Sequence, residues 1–176
     1  DTSHNFTVID SILNASASGF VDMWVDDDVV FGDFNFTNVT REDASQITRT
    51  WDTTSNGTMY MNWYLQVNVS DASTGAVISG ANVTIWDSLT GAEIFSELTD
   101  TNGNTSTYTI MEFYENLTDT FFETPHTINT TATGYTANSS EINLSSNLVW
   151  GVELTESTAP TLTLLSPLNE SNFNES

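Results

Sequence analysis

The chain has no cysteine and no lysine, and among its 176 residues there are only two arginines, two histidines and three prolines. Each absence closes off chemistry. Without cysteine there are no disulfides, no thiolate metal sites and no thiol nucleophiles. Small secreted domains often rely on disulfides, so this chain has to be held together by packing and backbone pairing alone. Without lysine there is no Schiff base, no phosphate-gripping lysine of a nucleotide loop and no Lys–Asn isopeptide crosslink. Arg41 and Arg49 are the only side chains of fixed positive charge, against 24 acidic residues, for a net charge of −22. Two scattered arginines cannot neutralise a run of phosphates, which excludes nucleic acid as a partner. An anionic membrane surface repels such a chain for the same reason. Copies also repel one another at low salt, so assembly needs screening salt, divalent cations or apolar contacts.

Long apolar runs are missing too. None approaches the roughly 18 residues of a membrane span, so no membrane insertion is expected of this segment. The first residue is Asp1 rather than Met, as expected after removal of a signal peptide or for a segment of a longer chain.

What the sequence has in abundance is asparagine followed two positions later by Ser or Thr. Of 18 asparagines, 14 begin such a triplet: Asn5, Asn14, Asn35, Asn38, Asn56, Asn68, Asn82, Asn104, Asn116, Asn129, Asn138, Asn143, Asn169 and Asn174. Chance placement at this hydroxyl content gives about five. The density predicts exposure to an N-glycosylation machinery, hence an extracellular or cell-surface location. In seven triplets the middle residue is apolar: Phe6, Phe36, Val39, Val69, Val83, Leu117 and Leu144. Side chains of a strand alternate between faces. The spacing therefore predicts strands with Asn and the hydroxyl residue on a sugar-bearing outer face and the apolar residue turned inward. Asn56 and Asn104, in tight turns, are the sites least suited to a sugar.

Helical periodicity is nearly absent, and short Val/Ile/Thr/aromatic runs recur between Gly, Asn and Asp turns, an all-β pattern. Ten apolar or aromatic runs read as strands: residues 5–13, 20–31, 34–40, 62–70, 81–87, 93–98, 105–114, 126–132, 140–144 and 148–155. Asn102-Gly103 is a hairpin signal. The expected organisation is an N-terminal β region over 1–61, a β-sandwich over 62–156 and a linker plus strand over 157–176.

Three stretches carry a family resemblance: SGANVTI at 79–85, TDTNGNT at 99–105 and TGY at 133–135. In this order they resemble the transthyretin-like, carboxypeptidase-regulatory β-sandwiches. The resemblance spans about half the chain and implies a seven-stranded Greek-key sandwich used as a spacer, adhesive or packing module, without implying catalysis. The segment Glu112 to Pro125 departs from it, being longer and more aromatic, and reads as a protruding loop. The N-terminal part, with its repeated Asn-Phe-Thr at 5 and 35, resembles the closing coils of right-handed parallel β-helices in archaeal surface glycoproteins. The final strand, Thr161, Leu162, Thr163, Leu164 and Leu165, resembles the first strand of a further immunoglobulin-like domain. A lone strand is unstable in water, so it belongs either to a further domain or to the sheet of a neighbouring subunit.

No nucleophile elbow, zinc-protease or phosphate-loop motif occurs. His4 and His126 read as isolated surface histidines. Asp22, Asp26, Asp27, Asp28 and Asp33 are the carboxylates from which a glycosidase pair could be drawn, but three consecutive aspartates between apolar runs read as a charged turn. Asp100 to Asn104 has the flavour of a calcium loop, and a hairpin explains it fully, so no catalytic residue, resident metal or cofactor is expected. By alternation Trp86 shares the outer face with Asn82 and Thr84, placed to stack on a sugar or a partner or to pack on the N-terminal segment.

The reading that follows is a non-enzymatic, heavily N-glycosylated structural protein, archaeal in type. It assembles with copies of itself or neighbouring surface proteins into a filament, stalk or layer. The alternatives are an adhesive or glycan-binding module, using Trp86 or Phe121-Phe122, and an accessory domain of a secreted hydrolase.

Overall fold

A computed structural model describes residues 4–13, 21–25 and 31–157. Every regular element among them is a strand, as the period-two pattern predicts. The pattern is clearest in β5 (Thr58–Asp71), whose fourteen residues alternate half-buried and buried without a break. Met59, Met61, Trp63, Leu65, Val67 and Val69 are fully buried. Strict alternation of large apolar side chains leaves the chain only one way to hide them, with one face of a strand turned to the core.

β5 is the spine of the molecule. Its first residues pair in parallel with β3 (Phe31–Thr40), which pairs in parallel with β1 (His4–Ile12). From Leu65 onward the same edge pairs in parallel with β12 (Leu148–Leu154). The other edge takes β8 (Tyr108–Glu115) antiparallel, and β8 takes β9 (Thr120–Phe122). A short second sheet joins β2 (Met23–Val25) and β4 (Arg49–Trp51) in parallel. The chain thus visits the long and the short sheet by turns and stacks like strands in parallel, as successive rungs of a coil. The N-terminal residues form strands, as expected of an all-β chain, and β5 runs from them through residues 61 and 62.

A ladder of amides ties these rungs together. Asp10 and Asn38 occupy equivalent positions on β1 and β3, and both have positive φ, at 50° and 53°. Asn and Asp tolerate that conformation better than other side chains. Asn38 Nδ2 donates to Asp10 Oδ1 at 2.7 Å, and Asn147 Nδ2 donates to Asn38 Oδ1 at 2.7 Å. Asn147 Oδ1 in turn accepts from the Tyr64 amide at 2.9 Å. The ladder therefore runs from the first rung to the loop that precedes β12.

The second half adds a four-stranded antiparallel sheet in the order β11 (Asn138–Ile142), β10 (His126–Thr131), β6 (Asn82–Asp87) and β7 (Glu93–Leu98). Val83, Ile85, Phe95, Ile128 and Ile142 of this sheet share one core with Leu65, Val67, Val69, Val152 and Leu154 of the long sheet. The expected all-β sandwich is formed. A count of seven strands does not describe it, because the long sheet continues into the N-terminal rungs.

The motifs that carried the resemblance fasten the sandwich. Thr99 Oγ1 donates to the Ile78 carbonyl at 2.7 Å and accepts from the Ala81 amide at 3.0 Å. Tyr135 Oη donates to Asp71 Oδ2 at 3.1 Å. The turn at Asn102-Gly103 is tight, but it is not a hairpin: it carries the chain from β7 in one sheet to β8 in the other. Gly103 has φ +76°, and a Cβ there would stand 2.7 Å from the Val69 carbonyl oxygen. Only glycine allows that approach.

Other expectations are corrected. The segment 112–125 is no protruding loop: β8 continues to Glu115 and returns as β9, because Phe113 and Phe122 pair at 5.6 Å and Tyr114 stacks on Phe121 at 4.8 Å. Of the strand expected at 20–31, the described residues contain β2 and the start of β3 at Phe31. β4 was not foreseen. Its Arg49 and the neighbouring Gln46 reach two buried carboxylates of β8. Glu112 accepts from Gln46 Nε2 at 2.8 Å and from Trp63 Nε1 at 2.5 Å. Glu115 accepts from Arg49 Nε at 2.7 Å, Trp51 Nε1 at 2.6 Å and Thr120 Oγ1 at 3.0 Å.

Candidate functional site

Eleven of the fourteen triplet asparagines fall among the described residues. Asn5, Asn56, Asn129 and Asn143 are exposed; Asn35, Asn38, Asn68, Asn82, Asn104, Asn116 and Asn138 are half-buried; none is buried. Asn14, Asn169 and Asn174 lie outside the described residues, as do Thr161, Leu162, Thr163, Leu164 and Leu165 of the expected C-terminal strand. Five of the seven apolar middle residues are buried as expected: Phe36, Val39, Val69, Val83 and Leu144. Phe6 and Leu117 are exposed instead. Phe6 lies on the edge strand β1, where it leans edge-on against Phe34 at 4.8 Å. Leu117 lies in the β8–β9 turn, outside any strand.

The asparagines differ in what their amide nitrogens already do. Asn38 Nδ2 is engaged by Asp10 in the ladder, and Asn68 Nδ2 donates to Asn104 Oδ1 at 2.8 Å. Asn82 Nδ2 donates to Thr84 Oγ1 at 3.2 Å. Asn116 uses its carbonyl oxygen instead, accepting from the Thr118 amide at 2.9 Å and the Asp119 amide at 3.0 Å. Asn82 and Asn129 stand on adjacent strands of the four-stranded sheet, β6 and β10. Trp86 is half-buried opposite Thr127 on the same pair of strands.

Of the carboxylates singled out in the sequence, those of Asp22 and Asp100 are spent on structure. Asp22 accepts from the Thr48 amide and hydroxyl, each at 2.7 Å, and pairs with Arg41 at 3.4 Å. At Asp33 it is the backbone amide that is engaged, donating to Asn5 Oδ1 at 2.9 Å. Asp26, Asp27 and Asp28 lie outside the described residues. Asp100 Oδ1 accepts from the amides of Asn102 and Asn104 at 2.8 and 2.9 Å, which closes the turn. These donors hold its carboxyl below the usual carboxylate range. Among the described residues no three His, Asp or Glu side chains are grouped to hold a metal ion.

The concave site is one the sequence did not flag. A cavity of about 490 Å³ opens between β5 and β8 on one side and the ends of β6, β7 and β10 on the other. Its walls include Tyr60, Tyr114, Ile94 and Met111, with Asp87, Glu123 and His126 as its ionisable groups. Tyr60 and Tyr114 lie 6.2 Å apart, ring to ring. His126 is not a surface histidine: it is 1% exposed. Alternation could have placed it, since it shares a strand face with the buried Ile128 and Thr130. The side chain of His4 lies outside the described part.

Asp87 and Glu123 are close enough for each carboxyl to shift the other. Burial pushes the Glu123 carboxyl above its ordinary value, and the neighbouring Asp87 charge adds to this. Burial acts on Asp87 in the same sense, but the Thr90 hydroxyl, the Leu89 and Thr90 amides and Glu123 outweigh it and hold Asp87 below its ordinary value. Of the two, Glu123 is therefore the carboxyl that takes up a proton first as pH falls.

No family model matches the chain, and no curated protein matches it in sequence. Solved structures do match. Catechol 1,2-dioxygenase of Acinetobacter radioresistens is 15% identical with a TM-score of 0.42, over 55% of this chain and 52% of the enzyme. The TIE protein of Bacillus anthracis is 15% identical with a TM-score of 0.41, over 64% of this chain and 20% of that protein. The pilus 2b backbone protein of group B streptococcus is 17% identical with a TM-score of 0.33, over 54% of this chain and 41% of that protein. The chain thus spans about half the length of the dioxygenase it matches. At these values the likeness is one of β architecture. The expectation that the chain is not an enzyme is corrected here: dioxygenases stand among the matching structures beside a pilus protein, so the fold leaves catalysis open.

Proposed function

We propose that this chain is an N-glycosylated structural protein of the cell surface. It assembles with copies of itself, or with neighbouring surface proteins, into a filament, stalk or layer. The archaeal source suggested by dense triplets without cysteine is part of the same proposal.

The observation that carries it is the open first rung. Among the described residues β1 is the last strand of the long sheet, and none of them pairs with its outer edge. Phe6, Ile9 and Ile12 on β1 and Trp24 on β2 are 43, 53, 66 and 65% exposed. An uncovered parallel edge with large apolar side chains is a template for a further strand. Apolar contact is also the kind of association that a net charge of −22 permits once salt screens it. Glycans on the half-buried and exposed asparagines would keep the remaining faces apart and direct contact to this edge. The segment Thr161 to Leu165 is the candidate strand to be donated there by a neighbour.

Sedimentation velocity at high salt tests this on the chain and on an Ile9→Ser/Ile12→Ser variant. Both substitutions lie on an edge strand, so the fold is kept. Association of the parent chain that the variant loses supports the proposal. Equal association of both, or none in either, contradicts it.

A further inference from the structure

Trp86 stands on the outer face of the four-stranded sheet. The alternation of β6 turns Val83 and Ile85 into the core and Asn82, Thr84 and Trp86 outward. The Trp86 side chain is half-buried but does not join the core. Among the described residues no aromatic ring stacks on it and its indole N–H donates to no protein group. A large indole on an outer face, with its N–H unspent, is a platform for something laid over it.

The neighbouring strand supplies the candidate. β10 pairs with β6 so that Thr127 faces Trp86 and Asn129 faces Thr84. Ile128 and Thr130 are buried, so Thr127, Asn129 and Thr131 point outward. Asn129 and Trp86 are therefore diagonal neighbours on one face, about 7–8 Å apart, a span that long side chains cross. Thr84, directly opposite Asn129, is short and 8% exposed, so it does not rise between them. The triplet Asn129-Thr130-Thr131 also presents both of its recognition side chains, since Asn129 and Thr131 are exposed. Asn82 shares the face but is already engaged. Its Nδ2 donates to Thr84 Oγ1 at 3.2 Å, and its Oδ1 accepts from Ser96 Oγ at 3.3 Å. The Asn129 amide has no such side-chain contact among the described residues.

We propose that the first sugar of an N-glycan on Asn129 lies with its C–H face on the Trp86 indole, which pins the glycan across β6 and β10. The electron-rich face of an indole attracts the weakly positive C–H groups of a pyranose ring. The inference rests on the N-glycosylation reading above and deepens it: at Asn129 the sugar is part of the sheet's packing as well as a shield.

The test uses the full chain produced in its native source, so that it carries its own glycans. Glycopeptide mass spectrometry first reads occupancy at Asn129. Hydroxyl-radical footprinting at low salt then reads the reactivity of Trp86, with the 65% exposed Trp24 as internal reference. Asn129→Gln, an exposed substitution that keeps the fold, is expected to raise oxidation of Trp86 severalfold and leave Trp24 unchanged. Asn82→Gln is expected to change neither. Trp86→Ala is expected to lower the melting temperature by about 2–4 °C more in the glycosylated parent than in the Asn129→Gln chain. A bare Asn129 overturns the glycosylation reading at this site and the inference with it. A sugar on Asn129 with Trp86 equally reactive in parent and variant overturns the inference alone. So does a Trp86 shielded in both, which places a second copy on this face, or one uncovered by Asn82→Gln instead.

Discussion

Arg49 and Glu115 meet in the interior through two hydrogen bonds, from Nε at 2.7 Å and from Nη2 at 2.5 Å. One of only two arginines in a chain of net charge −22 is committed to a single buried carboxylate. The same guanidinium lies 4.8 Å from the centre of the Phe113 ring. The contact joins β4, in the short sheet, to β8, in the long one, and so closes the N-terminal rungs against the sandwich.

Removing one partner strands the other. Arg49→Met leaves Glu115 charged and buried without its counter-ion. The variant is expected to lose about 3 kcal/mol in urea denaturation. Arg49→Lys is expected to recover only part of this, because an ammonium cannot make the paired contact. A variant as stable as the parent would show that the pair contributes nothing.

The pH dependence follows from the same group. Burial alone would raise the Glu115 carboxyl, but Arg49, Trp51 and Thr120 outweigh it and hold it below its ordinary value. A carboxyl whose pKa is lower folded than unfolded stabilises the fold above the unfolded value and loses that contribution as pH falls through the folded one. The parent chain is therefore expected to lose stability below about pH 4.3. Protonating surface carboxylates also relieves repulsion, so the comparison with Glu115→Gln isolates the effect. The variant's melting temperature is expected to fall less steeply with acid; parallel curves would contradict the assignment.

Glycopeptide mass spectrometry of the native protein is expected to find the asparagines unequally occupied. Asn129 and Asn143, exposed and on the outside, are expected to carry sugar. Asn38, whose nitrogen is held at 2.7 Å by Asp10, is expected to be empty. Sugar on Asn38 with a bare Asn129 would reverse the ranking.

Gly103→Ala is expected to destabilise the chain by about 1–3 kcal/mol, since the new methyl meets the Val69 carbonyl in a left-handed backbone. Gly134 also has positive φ, at 86°, but a Cβ there meets nothing within 4 Å. Gly134→Ala should cost less. Equal losses in thermal denaturation would mean that φ alone matters and the carbonyl contact does not.

Much of the fold is legible along the strands and little of it between them. The alternation from Asn62 to Ser70 marks β5 from sequence alone, because burial on one face imposes period two. Its parallel pairing with β3 and β12 is not marked, since the partners are distant in sequence: Thr58 pairs with Asp33, and Leu65 with Leu148. β4 and β9 are three residues each, too short for a period to register. The cavity escaped for a related reason. Asp87 ends β6, Glu123 follows β9 and His126 opens β10, and it is the pairing of β6 with β10, which sets His126 opposite Asp87, that brings them together. His126 alone carried a signal, the inward face it shares with Ile128.

The open rung at β1 is the point on which the structural role stands. Negative-stain electron microscopy of the protein taken from its native source, across a salt series, tests it most directly. The account predicts filaments or sheets with a regular repeat, appearing as salt screens the charge. Dispersed particles at every salt concentration would contradict it.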